Sequence, residues 1–171
     1  MKGPDTFETA RLTAERLCPE HEPLIRTLYQ DERVAATLGG VRTDAEVQRF
    51  IADSLRHWEE HGFGVWVFRE RATGCFVGRA GIRRFQVEGA WENEILYALM
   101  PAFWGQGYAT EIARALVEIA FECLGLADVV SFTLLTNVAS RRVMEKAGLR
   151  YEREITHAGL PHVLYRRRAG E

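Results

Sequence analysis

Cysteine is scarce, and the few present form no pattern. Cys18, Cys75 and Cys123 are odd in number and far apart, with no C-x-x-C pair, which argues against a disulfide framework and against a zinc site. A reducing cytoplasm is the compartment this implies. Charge of one sign is also missing. The 22 basic and 24 acidic residues leave a formal net charge of -2 and are interspersed, so no general field collects nucleic acid or anionic lipid. Any anion site must be local. Long apolar runs are absent too: nothing approaches the ~18 residues that suggest a membrane span, and Met1 to Leu12 lacks the apolar stretch of a signal peptide. Without repeats or low-complexity linkers, the 171 residues fit one domain, 1–171, long enough to bury a core without covalent staples.

What is present alternates between two periodicities. Glu8 to Leu17 has strand character, and from Pro19 the residues Leu24, Ile25, Leu28 and Tyr29 fall at helical spacing. Thr43 and Glu46 have the capping-box form, and Val47, Phe50, Ile51, Leu55 and Trp58 continue one apolar face until Gly62, which predicts a second helix. Gly64 to Glu70 and Cys75 to Gln86 read as antiparallel strands around a turn at Arg71 to Gly74. After a looser link from Val87 to Glu92, Asn93 to Leu99 reads as a strand that Pro101 stops. A helix over Thr110 to Leu124 capped by Gly125, a strand over Val129 to Leu135, and a short helix over Ser140 to Ala147 closed by Gly148 follow. Leu149 to Thr156 and His162 to Arg168 close the chain as a hairpin around Gly159 and Pro161. The order is β-α-α-β-β-β-α-β-α-β-β.

Phe103-Trp104-Gly105-Gln106-Gly107-Tyr108-Ala109-Thr110-Glu111 lies between a strand and an amphipathic helix. Without Cβ atoms at Gly105 and Gly107 the backbone can curl so that successive N–H groups converge on an anion, and the helix start adds its unpaired amides and positive dipole end. A phosphate or pyrophosphate suits such a turn, although glycine serving only a tight strand-to-helix turn gives the same letters. A P-loop needs Lys-Ser/Thr after its second glycine, where Tyr108-Ala109 stands, and a dinucleotide fingerprint needs a third small residue in G-x-x-G spacing, which is missing here.

A second segment, Asn137 to Leu149, follows about 30 residues later. Together the two resemble the GNAT acetyltransferase superfamily, whose acyl-CoA loop has the form Q/R-x-x-G-x-G/A and whose next helix follows N-x-x-A/S-x-x-hydrophobic-x-x-x-x-G-F. The string Trp104 to Glu111, the opening Glu8-Thr9-Ala10-Arg11-Leu12 and the closing His162-Val163-Leu164-Tyr165-Arg166 are similar to the Rim-type branch, which acetylates ribosomal-protein N-termini.

The resemblance implies an α/β (α+β) GNAT fold with a mixed, mostly antiparallel sheet of about seven strands, and acetyl transfer from acetyl-CoA to a primary amine, with no metal. It implies that amides of Gly105, Gln106, Gly107, Tyr108, Ala109 and Thr110 hold the coenzyme A pyrophosphate, with Trp104 in the loop's Q/R position. Main-chain groups of Leu99 and Met100 would pair with the pantetheine arm, and the oxyanion donor would be an N–H near Leu99 or Met100. Asn137 and Ser140 would contact the pantetheine or the departing thiolate, and Arg141 or Arg142 the adenosine phosphates. The same residue types also start turns, cap helices and face water.

Glu94 corresponds to a glutamate considered a base in this branch, an amine having to lose its proton before it attacks. The competing role is a strand carboxylate paired with Arg83 or Arg84. Glu92 is expected on the same face as Glu94. Many relatives place a tyrosine four residues after the Ser140 position, where this chain has Met144; Ser140 would then serve as acid, or none would be needed. Tyr97 and Tyr108 are expected to pack, Arg166 to Arg168 to be solvated, His157 and His162 to be solvated in a turn, and Thr37 to Arg42 to gate the acceptor. A non-catalytic acyl-CoA sensor is the alternative. Oligomeric state, a homodimer included, stays open.

Overall fold

The computed structural model describes residues 1–171. Its strands are β1 (Thr6–Glu8), β2 (Leu12–Arg16), β3 (Val65–Glu70), β4 (Phe76–Val87), β5 (Ala90–Leu99), β6 (Asp128–Leu134), β7 (Arg150–His157) and β8 (Leu160–Arg168). They form one eight-stranded sheet ordered β1-β2-β3-β4-β5-β6-β8-β7. Every neighbouring pair is antiparallel except β5 and β6. Those two run parallel and meet at one residue pair, Glu94 with Val130. Beyond it the strands part and leave an opening.

Helices α1 (Glu22–Gln30), α2 (Glu32–Thr37) and α3 (Asp44–His61) pack Ile25, Leu28, Val34, Val47 and Ile51 against Val65, Val67 and Ala98 on one face of the sheet. Helices α4 (Tyr108–Glu118) and α5 (Val138–Lys146) bring Ile112, Leu116 and Met144 against Ile95, Leu99 and Val129 on the other. Helix α3 begins where the capping box predicts, with both reciprocal bonds between Thr43 and Glu46, and ends at Gly62 in the left-handed region, φ 74°. Trp58 and Trp66 are buried in the core, while Trp91 is exposed. No helix is long and apolar enough to cross a membrane.

The fold class is as the sequence implies, with four local differences. The opening strand divides into β1 and β2 at a tight turn closed by a bond from Thr9 N–H to the Leu12 carbonyl, which gives eight strands instead of seven. Helix α2 is additional, nucleated by the Asp31 carboxylate accepting from the amides of Arg33 and Val34. The Val87–Glu92 link is mostly strand, because Glu88 and Gly89 both adopt positive φ, 47° and 85°, and close a two-residue hairpin. Glutamate is an uncommon residue there, so its letters hid the turn. Helix α4 also starts two residues early and passes into a π-helical turn, Ile119–Cys123.

Candidate active site

Between β5 and α4 the chain bends at Gly105 (φ 70°) and Gly107 (φ 82°), conformations that any side chain would strain. The amides of Gly105, Gln106 and Gly107 have no main-chain partner, and the first intrahelical bond of α4 runs from Glu111 N–H to the Gly107 carbonyl. The N–H groups of Tyr108, Ala109 and Thr110 therefore precede the hydrogen-bonded ladder. The bend thus presents a row of free donors at the positive end of an eleven-residue helix.

The bend is braced from the far end of the sequence. Glu111 accepts bonds from Thr9 Oγ1, from the Arg11 amide at 3.0 Å and from Arg11 Nε at 2.9 Å. Arg11 also donates to the Gln106 carbonyl and lies 3.8 Å from the centre of the Tyr108 ring. Tyr108 in turn donates to Glu70, so it does more than pack. Burial alone would raise the Glu111 carboxyl, but the Thr9 and Arg11 bonds hold it below the usual carboxylate range. The motifs around Arg11 and Glu111 are visible separately in the sequence; nothing local says that they meet.

The cleft side of β5 follows from strand alternation. Met100 donates its N–H to the Val77 carbonyl of β4 and accepts from Phe103, whereas the Ile95 carbonyl turns to β6 and accepts from Ser131 Oγ at 2.8 Å. Main-chain groups of Tyr97 and Leu99 therefore face the opening, where β6 offers no ladder partner. This corrects the expectation for Met100: both its main-chain groups are engaged within the protein. The Leu99 carbonyl is taken as well, by Trp104 Nε1 at 2.8 Å. The Gln106 side chain turns back to the Ala102 carbonyl, leaving its amide as the group available to a ligand.

A cavity of about 740 Å³ runs from the bend through the opening to the α1–α3 face, lined by Trp104, Gly105, Gly107 to Thr110, Asn137, Ser140 and Arg142 among others. Asn137 accepts from the Ser140 amide at 3.2 Å as the N-cap of α5. Arg141 points elsewhere, to Tyr165 Oη. Met144 is buried in the core, but Tyr97 Oη lies 2.8 Å from Ser140 Oγ and donates to the Ser140 carbonyl. Burial pushes the Tyr97 phenol above its ordinary value, although the Ser140 bond opposes the shift. Tyr97, expected to pack, brings to this opening the phenol that position 144 lacks.

At the other end of the cavity, Glu94 is 4% exposed and its Oε2 accepts from Arg83 Nε. The pairing weighed from the sequence exists, yet Glu94 Oε1 has no protein partner. Glu92 is engaged by Arg166, which also meets Asp128 and Glu152, so Arg166 belongs to a half-buried ion-pair network instead of a solvated run. His157 and His162 line the cavity, with ring centres 4.9 and 5.8 Å from that of Phe132. They are not solvated turn residues. Burial holds His157 below the ordinary histidine value. Thr37, Leu38 and Arg42 line the same chamber.

The geometry agrees with what known proteins show. A family model described as an acetyltransferase (GNAT) domain matches residues 11–150. The chain is 35% identical over 164 residues to the FsC-acetyl coenzyme A-N(2)-transacetylase of Aspergillus fumigatus, spanning 87% of this chain and 66% of that protein. A crystal structure of an acetyltransferase from Agrobacterium tumefaciens superposes with a TM-score of 0.84 at 27% identity, covering 98% of this chain and 96% of its own. The RimL ribosomal alpha-N-protein acetyltransferase, solved in complex with coenzyme A, shares the fold with a TM-score of 0.79 at 15% identity, covering 95% and 97%. The chain belongs to the GNAT acetyltransferase family, a family of acyl-CoA-dependent N-acetyltransferases.

Proposed function

We propose that this chain moves an acetyl group from acetyl-CoA directly to a primary amine, of a peptide N-terminus or of a small molecule. The observation that carries this reading is the row of free amides from Gly105 to Thr110 opening into the gap between β5 and β6. The cofactor's pyrophosphate fits that row, and Arg142 and Lys146, which line the same cavity and form no ion pair, add positive charge beside it. Tyr97 and the Leu99 N–H pair with the pantetheine arm and hold the thioester carbonyl, where fixed donors favour developing negative charge.

Acetyl-CoA supplies the activated acyl group; the residues supply position and proton movement. Glu94 Oε1 draws the acceptor's ammonium into the chamber and takes its proton, while Arg83 fixes the carboxylate through Oε2. The hydroxyls of Ser140 and Tyr97 protonate the departing thiolate, the task the side chain at Met144 cannot perform.

The test is release of free thiol from acetyl-CoA across a panel of N-terminal peptides and small amines. Steady release that depends on the amine supports the reading. Tight CoA binding with no release from any amine leaves an acyl-CoA sensor instead.

A further inference from the structure

The acceptor chamber contains a buried cation with no counter-charge. Arg79, on β4 opposite Ala98, is 5% exposed and forms no ion pair. Its one protein hydrogen bond runs from Nε to Tyr29 Oη at 2.9 Å, and Nη1 is buried without a partner. The guanidinium lies 5.4 Å from the Tyr29 ring centre and 5.6 Å from that of Phe50. Those rings soften its desolvation but do not replace a carboxylate. The contrast within the molecule is direct: Arg166, less buried with its side chain 11% exposed, is met by Glu92, Asp128 and Glu152.

Arg79 lines the same cavity as Glu94 and Ser140, but from the face carrying Tyr29 of α1 and Phe50 of α3. The glycine bend and α4 pack on the opposite face, against Ile95 and Leu99. No carboxylate of the chamber pairs with Arg79. Arg42 lines the chamber without an ion pair, its guanidinium donating to the Leu38 carbonyl; Glu94 is matched by Arg83; Glu46 is drawn to the Thr43 amide. With Val34, Leu38, Phe85 and Phe132 forming apolar walls, the chamber suits a small molecule bearing one anionic group.

The geometry points to an acceptor that carries a carboxylate on the same small molecule as its amine, with the carboxylate bound by Arg79 and the amine at the thioester. This rests on the acetyl-transfer reading above. Arg79 and Arg83 lie four positions apart on β4, a span of about 13 Å. That sets an upper scale for the distance between carboxylate and amine, the range of amino acids, ω-amino acids and dipeptides. A planar guanidinium with unused N–H pairs matches a carboxylate in two-point fashion.

The experiment compares amino acids, ω-amino acids of increasing length and dipeptides with their carboxamides, using thiol release by the unaltered enzyme. At least one carboxylate acceptor is expected to exceed its carboxamide tenfold or more in kcat/KM. In Arg79→Gln that ratio falls to near one through a rise in acceptor KM, while the Kd for CoA stays within about twofold. Arg79→Met is expected to raise the melting temperature, since it removes a buried charge without a partner, and to abolish the same preference. Carboxamides equal to carboxylates throughout, or a preference that survives in Arg79→Gln, overturns the proposal while leaving acetyl transfer intact. So does loss of CoA affinity in that variant, which would assign Arg79 to the cofactor. Absence of release with every amine overturns the acetyl-transfer reading itself and this proposal with it.

Discussion

Tyr97 Oη and Ser140 Oγ stand 2.8 Å apart across the gap between β5 and α5. The contact joins a strand that lines the opening to the first turn of a helix 43 residues further on. It puts two hydroxyls side by side in the cavity lining.

If these hydroxyls deliver the proton, Tyr97→Phe and Ser140→Ala each lower kcat by about tenfold to a thousandfold, the span of general acid catalysis. CoA affinity changes little, and the double variant is no worse than the poorer single one. Single-turnover acetyl transfer measures this. Unchanged kcat in both variants shows that the thiolate leaves unaided.

Glu94→Gln is expected to lower kcat about a hundredfold and to cost about 1–3 kcal/mol of stability, because Arg83 loses its charge partner in a largely buried setting. Pairing it with Arg83→Met restores stability but not activity. Denaturant unfolding alongside kcat separates the two effects.

The Glu111 brace carries a pH signature. Its carboxyl is depressed in the fold, so its stabilisation is fully present above the unfolded carboxylate value of about 4.3 and is lost as pH falls through the lower folded value. Melting temperatures at pH 7 and pH 3 are therefore expected to differ more in the unaltered protein than in Glu111→Gln. Equal differences contradict the brace.

Gly107→Ala places a Cβ at a φ of 82°, 3.5 Å from Arg11 Nη2. The backbone cost is about 1–2 kcal/mol, and the bend that relieves it misaligns the amides, so the Kd for CoA is expected to rise more than tenfold. Gly74→Ala has a similar φ of 73° and meets no atom within 4 Å, but lies in the β3–β4 turn. It controls for strain: it loses stability while CoA affinity holds.

Much of this was legible in the residues. The capping box at Thr43 and the glycine bend are local patterns whose letters carry their own geometry; α5, expected from Ser140, instead starts at Val138 with Asn137 as its cap. The turn at Glu88-Gly89 was not, because glutamate rarely adopts positive φ. Long-range meetings were not legible either. Arg11 and Glu111 are 100 residues apart and Glu92 and Arg166 are 74 apart, so only the sheet order brings them together. Tyr97 looked like a packing residue because a strand sequence does not say which position faces the single gap in its ladder. Arg79 is illegible for a related reason: a strand arginine looks solvated until α1 and α3 close over it.

The central claim is that the main-chain hydrogens from Gly105 to Thr110 hold a diphosphate. Titrating the ¹⁵N-labelled protein with coenzyme A and following its amide resonances tests this directly. The account predicts that the amides of Gly105, Gln106, Gly107, Tyr108, Ala109 and Thr110 shift most, and that desulfo-CoA shifts them equally. Saturation of binding with those six resonances unmoved contradicts it.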